Sequence, residues 1–287
     1  MNVQVVVDSA ADLPKKFYDE FSIEMVPLTV HLNGEEHLDY QTIDPKTVYD
    51  AMREGAVPKT SQGAPEAFYD VFKKHTERNV PIIYIGLSSE LSGTYQSAVI
   101  AKQQIDEEFP DNDIYLIDTQ AASMGIGLIA YHIAKAAKEG ASVQDLLDLV
   151  NFHVKHIEHI FTVDKLEYLQ RGGRVSKTQA FVGGLLNIKP LLHVEGGKLV
   201  PLEKIRGSKR ILSRMVEVAK ERGEDFEKQT IAITHGDDLE TAEKLAELLR
   251  QEVNPKDIII HSVGAVIGAH AGPGTIALFF LNETIND

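Results

Sequence analysis

Three serines and a threonine crowd the stretch Leu87-Ser88-Ser89-Glu90-Leu91-Ser92-Gly93-Thr94-Tyr95, directly after the apolar run Ile82-Ile83-Tyr84-Ile85-Gly86. Branched residues bounded by Pro81 and Gly86 predict a buried strand, and the spacing from Thr94 to Glu108 predicts a helix. Ser92, Gly93 and Thr94 then sit at a strand-to-helix junction, where free backbone N–H groups and the helix dipole favour an anionic oxygen. With no glycine-rich phosphate cradle beside them, a carboxylate fits as well as a phosphate. The first reading is a binding protein for a small acid.

Ser92 could instead be a nucleophile, with His270 as its base. A catalytic serine needs a positioned base and an oxyanion hole, and the motif here is not the Gly-x-Ser-x-Gly of a nucleophile elbow. Binding is the more economical assignment, and a serine-dependent acyl-ester hydrolase stays as the alternative. The hydroxyls of Pro58-Lys59-Thr60-Ser61-Gln62 either cap a helix starting near Pro65 or face the same cleft, capping being the plainer reading. Gly264-Ala265-Val266-Ile267-Gly268-Ala269-His270-Ala271-Gly272-Pro273-Gly274 reads as a small-residue loop that lets a ligand or another backbone approach. His270 is its one ionisable side chain, suited to a carboxylate or to phosphoryl transfer.

Arg171-Gly172-Gly173-Arg174 and Lys204-Ile205-Arg206-Gly207-Ser208 each combine a turn with cations. They suit an anion or a partner's carboxylates, or merely mark helix ends. Asp8 reads as the end of a strand and Ser9 as the cap of the next helix. His153, His156 and His159 read as surface residues of one helix, without the carboxylate spacing of a metal motif.

The elements that must position these groups alternate. Strands are expected at Val3–Val7, Glu24–Leu32, Ile82–Leu87 and Ile114–Asp118, and helices at Pro45–Glu54, Pro65–Asn79, Thr94–Glu108 and Ser123–Glu139. That pattern predicts a mostly parallel, Rossmann-like sheet, with ligands beyond the carboxyl ends of its strands. A helix from Ser142 to about His159 follows. Next come a hairpin across Glu195-Gly196-Gly197-Lys198, helices at Ser208–Arg222 and Leu239–Glu252, and strands at Thr230–Thr234, Asp257–Ser262 and Thr275–Leu281. The expected class is therefore two-domain α/β: a parallel-sheet domain over 1–157 carrying the acid-binding loops, and a smaller α+β domain with a mixed sheet over 158–287.

The 287 residues suffice for cores of this size. There is no cysteine, which excludes disulfides and thiolate chemistry. Neither a signal peptide nor a run of about 20 apolar residues appears, so the expected location is cytoplasmic. The net charge is −14, yet Lys165–Arg214 holds 11 basic residues against three acids. An acidic body argues against nucleic acid as a partner, while the basic segment suits docking or an anion mouth.

Val7-Asp8-Ser9, Thr60-Ser61-Gln62, Ser88 to Tyr95, Leu169 to Arg174 and Gly268 to Gly274 occur in an order that resembles the DegV family, the fatty-acid-binding subunits of bacterial fatty acid kinase. The resemblance covers nearly the whole chain. It implies a long-chain fatty acid such as palmitate in a buried tunnel between two α/β domains. Thr60 and Ser92 would hold its carboxylate, with Ser61, Gly93 and Thr94 close by and His270 near the head group. Arg171 and Arg206 would engage a separate fatty acid kinase or the acyl phosphate. By this reading the chain is a carrier without catalysis, metal or cofactor of its own, since no nucleotide loop or magnesium set is present. A lipid sensor or shuttle without a kinase differs only in what it docks.

Overall fold

The structure, a computed structural model, describes residues 3–175 and 188–284. Part of the basic segment, 176–187, lies outside the described residues. In chain order come β1 (Gln4–Asp8), a single 3₁₀ turn at Ser9–Ala11, α1 (Lys15–Phe21), β2 (Glu24–Val26), β3 (Thr29–Leu32) and β4 (Glu35–Leu38). These lead to α2 (Pro45–Arg53), β5 (Lys59–Ser61), α3 (Pro65–Thr76), β6 (Ile82–Gly86), α4 (Thr94–Glu108), β7 (Ile114–Asp118), α5 (Met124–Glu139) and α6 (Val143–His156). After them run β8 (Ile157–Thr162), α7 (Leu166–Arg171), β9 (Ile188–Glu195), β10 (Lys198–Arg206), α8 (Ser208–Arg222), β11 (Thr230–His235), α9 (Leu239–Glu252), β12 (Asp257–Ser262), α10 (Ala265–Ala271) and β13 (Ile276–Leu281).

The fold is α/β. One sheet, ordered β2-β1-β6-β7, is wholly parallel. A mixed sheet is ordered β10-β9-β8-β13-β11-β12, with β11–β12 its parallel pair. The expected second part is thus mixed, but its sheet has six strands against four and is the wider of the two. A third small antiparallel sheet, β4-β3-β5, lies outside the sequence expectations.

Alternation along each strand sends its two sets of side chains to different layers. On the mixed sheet, Ile160, Ile231, Ile233, Leu278 and Phe280 pack under α8 and α9. Phe161, Ala232, Ala277 and Phe279 face the other way, into the same core as Val5, Val7, Ile83 and Ile85 of the parallel sheet. Helix α5, apolar through most of its circumference, is buried between the two sheets.

Four sequence expectations change. Gly264–Gly274 is not a loop but contains helix α10. Thr60 and Ser61 do not cap α3, whose N-cap is Ala64 with no side-chain bond; they belong to β5. Asp8, not Ser9, caps the 3₁₀ turn by accepting from Ala10 N at 3.0 Å. Ser9 Oγ instead accepts from Leu28 N at 3.1 Å. The three histidines are buried rather than superficial, and His159 stands on β8, not on the helix. A helical period through His153 and His156 continues to His159 by arithmetic alone; the turn into a strand at Ile157 breaks it.

Buried carboxylates hold the loops together. Asp8 accepts from Tyr84 OH at 2.7 Å and Leu87 N at 2.8 Å, fixing the start of the serine-rich turn. Asp12 accepts from Ser123 Oγ at 2.6 Å and Gly264 N at 2.9 Å. Asp39 accepts from Ala265 N at 3.2 Å. Two acids therefore meet the first N–H groups of α10, where negative charge is favoured. Glycines face the neighbours along this helix: a Cβ would lie 2.6 Å from Asp12 Oδ1 at Gly264, 2.5 Å from Tyr49 OH at Gly268 and 2.2 Å from Tyr168 at Gly272.

Burial raises the Asp12 carboxyl well above its usual range, with the charge of Asp39 adding to the effect, and raises Asp39 to about 6. A folded-state value above the unfolded one contributes stability below about pH 4 that drains as pH rises through about 6. Two units correspond to about 3 kcal/mol. Asp39→Asn cannot ionise, so wild type should lose about 2 kcal/mol relative to it between pH 4 and pH 7, the unfolded carboxyl being already partly ionised at the lower value. Urea unfolding at both pH values measures this, and a gap independent of pH refutes it.

Candidate functional site

Parallel sheets open a crevice where neighbouring loops diverge beyond their strand ends. Here the turns after β2, β6 and β7 leave such a space, roofed by α10 and walled by the inner face of the mixed sheet. It is a cavity of about 360 Å³, within the size range of small-molecule sites. Its wall is mostly apolar, with Leu28, Leu91, Leu169, Val266, Phe161 and Phe279 among the lining residues. Polar groups gather where Thr60, Ser92, Arg174 and His270 meet it.

Thr60 reaches the wall because β5 pairs with β3, Thr60 opposite Val30. Its Oγ1 lies 2.7 Å from His270 Nε2, a bond between residues 210 apart in sequence. Burial first, then the charge of Arg174, pulls the His270 imidazole down to about 4. The ring is therefore neutral at pH 7. Gly172 allows the ring's close approach, since a Cβ there would lie 2.2 Å from His270 Nδ1.

Ser92 Oγ accepts from Thr94 N at 3.2 Å and meets Thr94 Oγ1 at 2.9 Å. Thr94, fully buried, also accepts from Gly63 N at 3.3 Å. It stands behind the wall and positions Ser92. Gly93 lines the cavity as the N-cap of α4, with no side chain of its own to cap it; Thr94 N, the first of that helix, is taken by Ser92 Oγ, and the N–H groups that follow it have no intrahelical partner. Ser61 lines the cavity too, but its hydroxyl is engaged by His31 Nε2 at 2.7 Å. Thr60, Ser61, Ser92, Gly93 and His270 are thus brought together.

The arginines divide differently. Arg171 ends α7 and pairs with Glu167 one turn back on an exposed face. Arg206 lies at the exposed end of β10 and lines neither this cavity nor the crevice next to it. Arg174, offered by the motif beside Arg171 but given no role by the resemblance, lines the cavity and donates through Nε to Leu91 O at 3.0 Å. The motif carried both cations; only the turn at Gly172-Gly173, with Gly173 at φ 72°, decides which one faces inward.

Beyond the Thr60–His270 pair lies a second crevice of about 290 Å³, lined also by Lys59, Arg171, Arg174 and Tyr168. The pair therefore borders an apolar space on one side and a cationic one on the other. Hydrolase geometry is not assembled: Ser92 bonds to Thr94 and His270 to Thr60. Among the described residues no group of three or more His, Cys, Asp or Glu is placed to hold a metal.

A family model described as uncharacterised protein, DegV family, matches residues 2–283. A DegV domain-containing protein of Clostridium perfringens is 40% identical over 283 residues, covering 98% of this chain and 97% of the relative. A fatty acid-binding protein of Thermotoga maritima is 36% identical over 284 residues, with 96% of each covered. A solved structure described as fatty acid binding of a DegV family protein from Thermus thermophilus superposes with a TM-score of 0.88 at 32% identity, covering 97% of this chain and 99% of that one. Motifs, fold and full-length similarity agree, and the chain belongs to the DegV family.

Proposed function

We propose that this protein binds a long-chain fatty acid in the 360 Å³ cavity and presents the carboxylate to a separate ATP-dependent fatty acid kinase, which makes an acyl phosphate. The carboxylate loops belong to a 1–157 unit and His270 to a 158–287 unit, closing on the ligand from two sides. The observation that carries the reading is the Thr60–His270 pair, bonded at 2.7 Å and bordering both the apolar cavity and the cationic crevice. A carboxylate held there has its chain in the cavity and its oxygens toward Lys59 and Arg171. Binding of fatty acids by the Thermotoga and Thermus relatives supports it.

The chemistry is sufficient. Each buried CH₂ contributes about 0.8 kcal/mol, and each hydrogen bond to the charged head about 1.5–3 kcal/mol. With the proton of the neutral His270 on Nε2, the ring donates to Thr60 Oγ1 and frees the Thr60 hydroxyl proton for the carboxylate. Ser92 and the N–H groups of α4 that follow Thr94 supply further donors. Arg171 faces the crevice, and Arg206 acts farther out in docking. No helix among the described residues is long and apolar enough to cross a membrane; the proposed place of action is the cytoplasm.

Mass spectrometry of lipid released on denaturing the purified protein tests the ligand: stoichiometric long-chain acid is expected, and none, even after incubation with oleate or palmitate, rejects it. Thr60→Ala combined with Ser92→Ala removes two donors and should weaken retention about 100-fold; undiminished retention in a labelled-oleate assay counts against the head-group assignment. Arg171→Ala and Arg206→Ala should each slow phosphorylation by the kinase at least tenfold more than they weaken oleate binding. Equal losses in the two assays would sink that division of labour.

A further inference from the structure

The cavity wall carries a second polar locus, away from the carboxylate end. Phe161, Ala277 and Thr234 are register partners across β8, β13 and β11, so their side chains stand in one row on the inner face. Thr234 is fully buried and lines the cavity. Its Oγ1 meets Ser123 Oγ at 3.3 Å, beyond the usual range for hydroxyl bonds. Ser123 donates its own proton to Asp12 Oδ2 at 2.6 Å. Only Thr234 can donate between the two hydroxyls, and its lone pairs receive no donor among the described residues.

Two further features mark the same place. Ser123, also in the wall, holds φ 54° and ψ −141°, a backbone conformation that residues with side chains rarely adopt. His159 lines the cavity beside it, with Nε2 accepting from Ala122 N at 3.4 Å. Burial pulls this ring down to about 4, with backbone hydrogen bonds at Ala122 and Ile157 opposing the shift, so it is neutral. A valine in place of Thr234 would make this row of the wall apolar without touching the Asp12–Gly264 bond. The hydroxyl is therefore not explained by holding α10.

We infer that this locus recognises a hydroxyl on the acyl chain, so that long-chain acids hydroxylated near mid-chain are a ligand class of the cavity. The inference rests on the fatty-acid reading above. The ligand hydroxyl would donate to Thr234 Oγ1, with His159 bordering it. Asp12, beneath Ser123, bonds Gly264 at one end of α10, and His270 lies six residues further, about 9 Å along the helix. An extended chain advances about 1.25 Å per carbon, which puts the locus roughly seven to ten carbons from the carboxylate.

Competition against radiolabelled oleate, using stearate and 10-hydroxystearate with the full-length protein, tests this. A buried hydroxyl without a partner would make 10-hydroxystearate about tenfold weaker than stearate or worse. The expected result is that it competes at least as well. Thr234→Val should then lower its affinity about tenfold relative to stearate, and Thr234→Ser should restore the ratio. A tenfold weaker 10-hydroxystearate with wild type, or a ratio unmoved by Thr234→Val, overturns the inference while leaving fatty-acid binding intact. Failure of both acids to compete overturns the fatty-acid reading as well. Should Thr234→Val not fold, the wild-type comparison decides.

Discussion

Everything at the site depends on where a seven-residue helix is held. Alone, α10 is far too short to persist in water. It persists because Asp12 and Asp39 accept its first N–H groups and Tyr49 donates to Val263 O at 3.0 Å just before it. The cost of burying those acids is visible in their raised protonation range. One end of the helix is thereby anchored in the first fifty residues, and the other end delivers His270 to Thr60. Loosening the anchor would move the imidazole, the cavity roof and the border with the cationic crevice together.

The same economy governs the polar end. Thr60, Ser92 and Arg174 come from three separate stretches, and each is oriented by a neighbour: Val30 through strand pairing, Thr94 through its hydroxyl, and Leu91, itself part of the wall, through its carbonyl. Charge is kept at the rim. His270 is neutral, so the polar end presents oriented donors and one half-buried guanidinium rather than a dense cationic cluster. Under the proposed reading, such a site would restrain a carboxylate without making its release prohibitively slow.

Much of this was legible in the chain. The parallel strands, the hairpin and the bounds of α8, α9 and β12 follow from periodicity and turn residues, because local pattern decides them. The junction at Ser92 was readable for the same reason. Helix α10 was not: Gly264, Gly268 and Gly272 resemble a loop until Asp12, Tyr49 and Tyr168 are known to press on them. Strand β5 is three residues long and exists through its pairing with β3, which leaves no periodic trace. Arg174 could not be told from Arg171, and nothing local marks Asp12 and Asp39 as anchors, because the roles of these two acids are set by contacts more than 200 residues away.

The position of β13 has a consequence for how the protein is made. It lies between β8 and β11, yet the ribosome releases it after every other strand of that sheet. Until it inserts, both neighbours present unpaired edges, the kind of surface on which nascent chains misassemble. Ala277 and Phe279 of this strand also complete the cavity wall, so the cavity does not exist on the growing chain. On the proposed reading, loading waits for the finished molecule, since the long-range pairing of β13 must come before it.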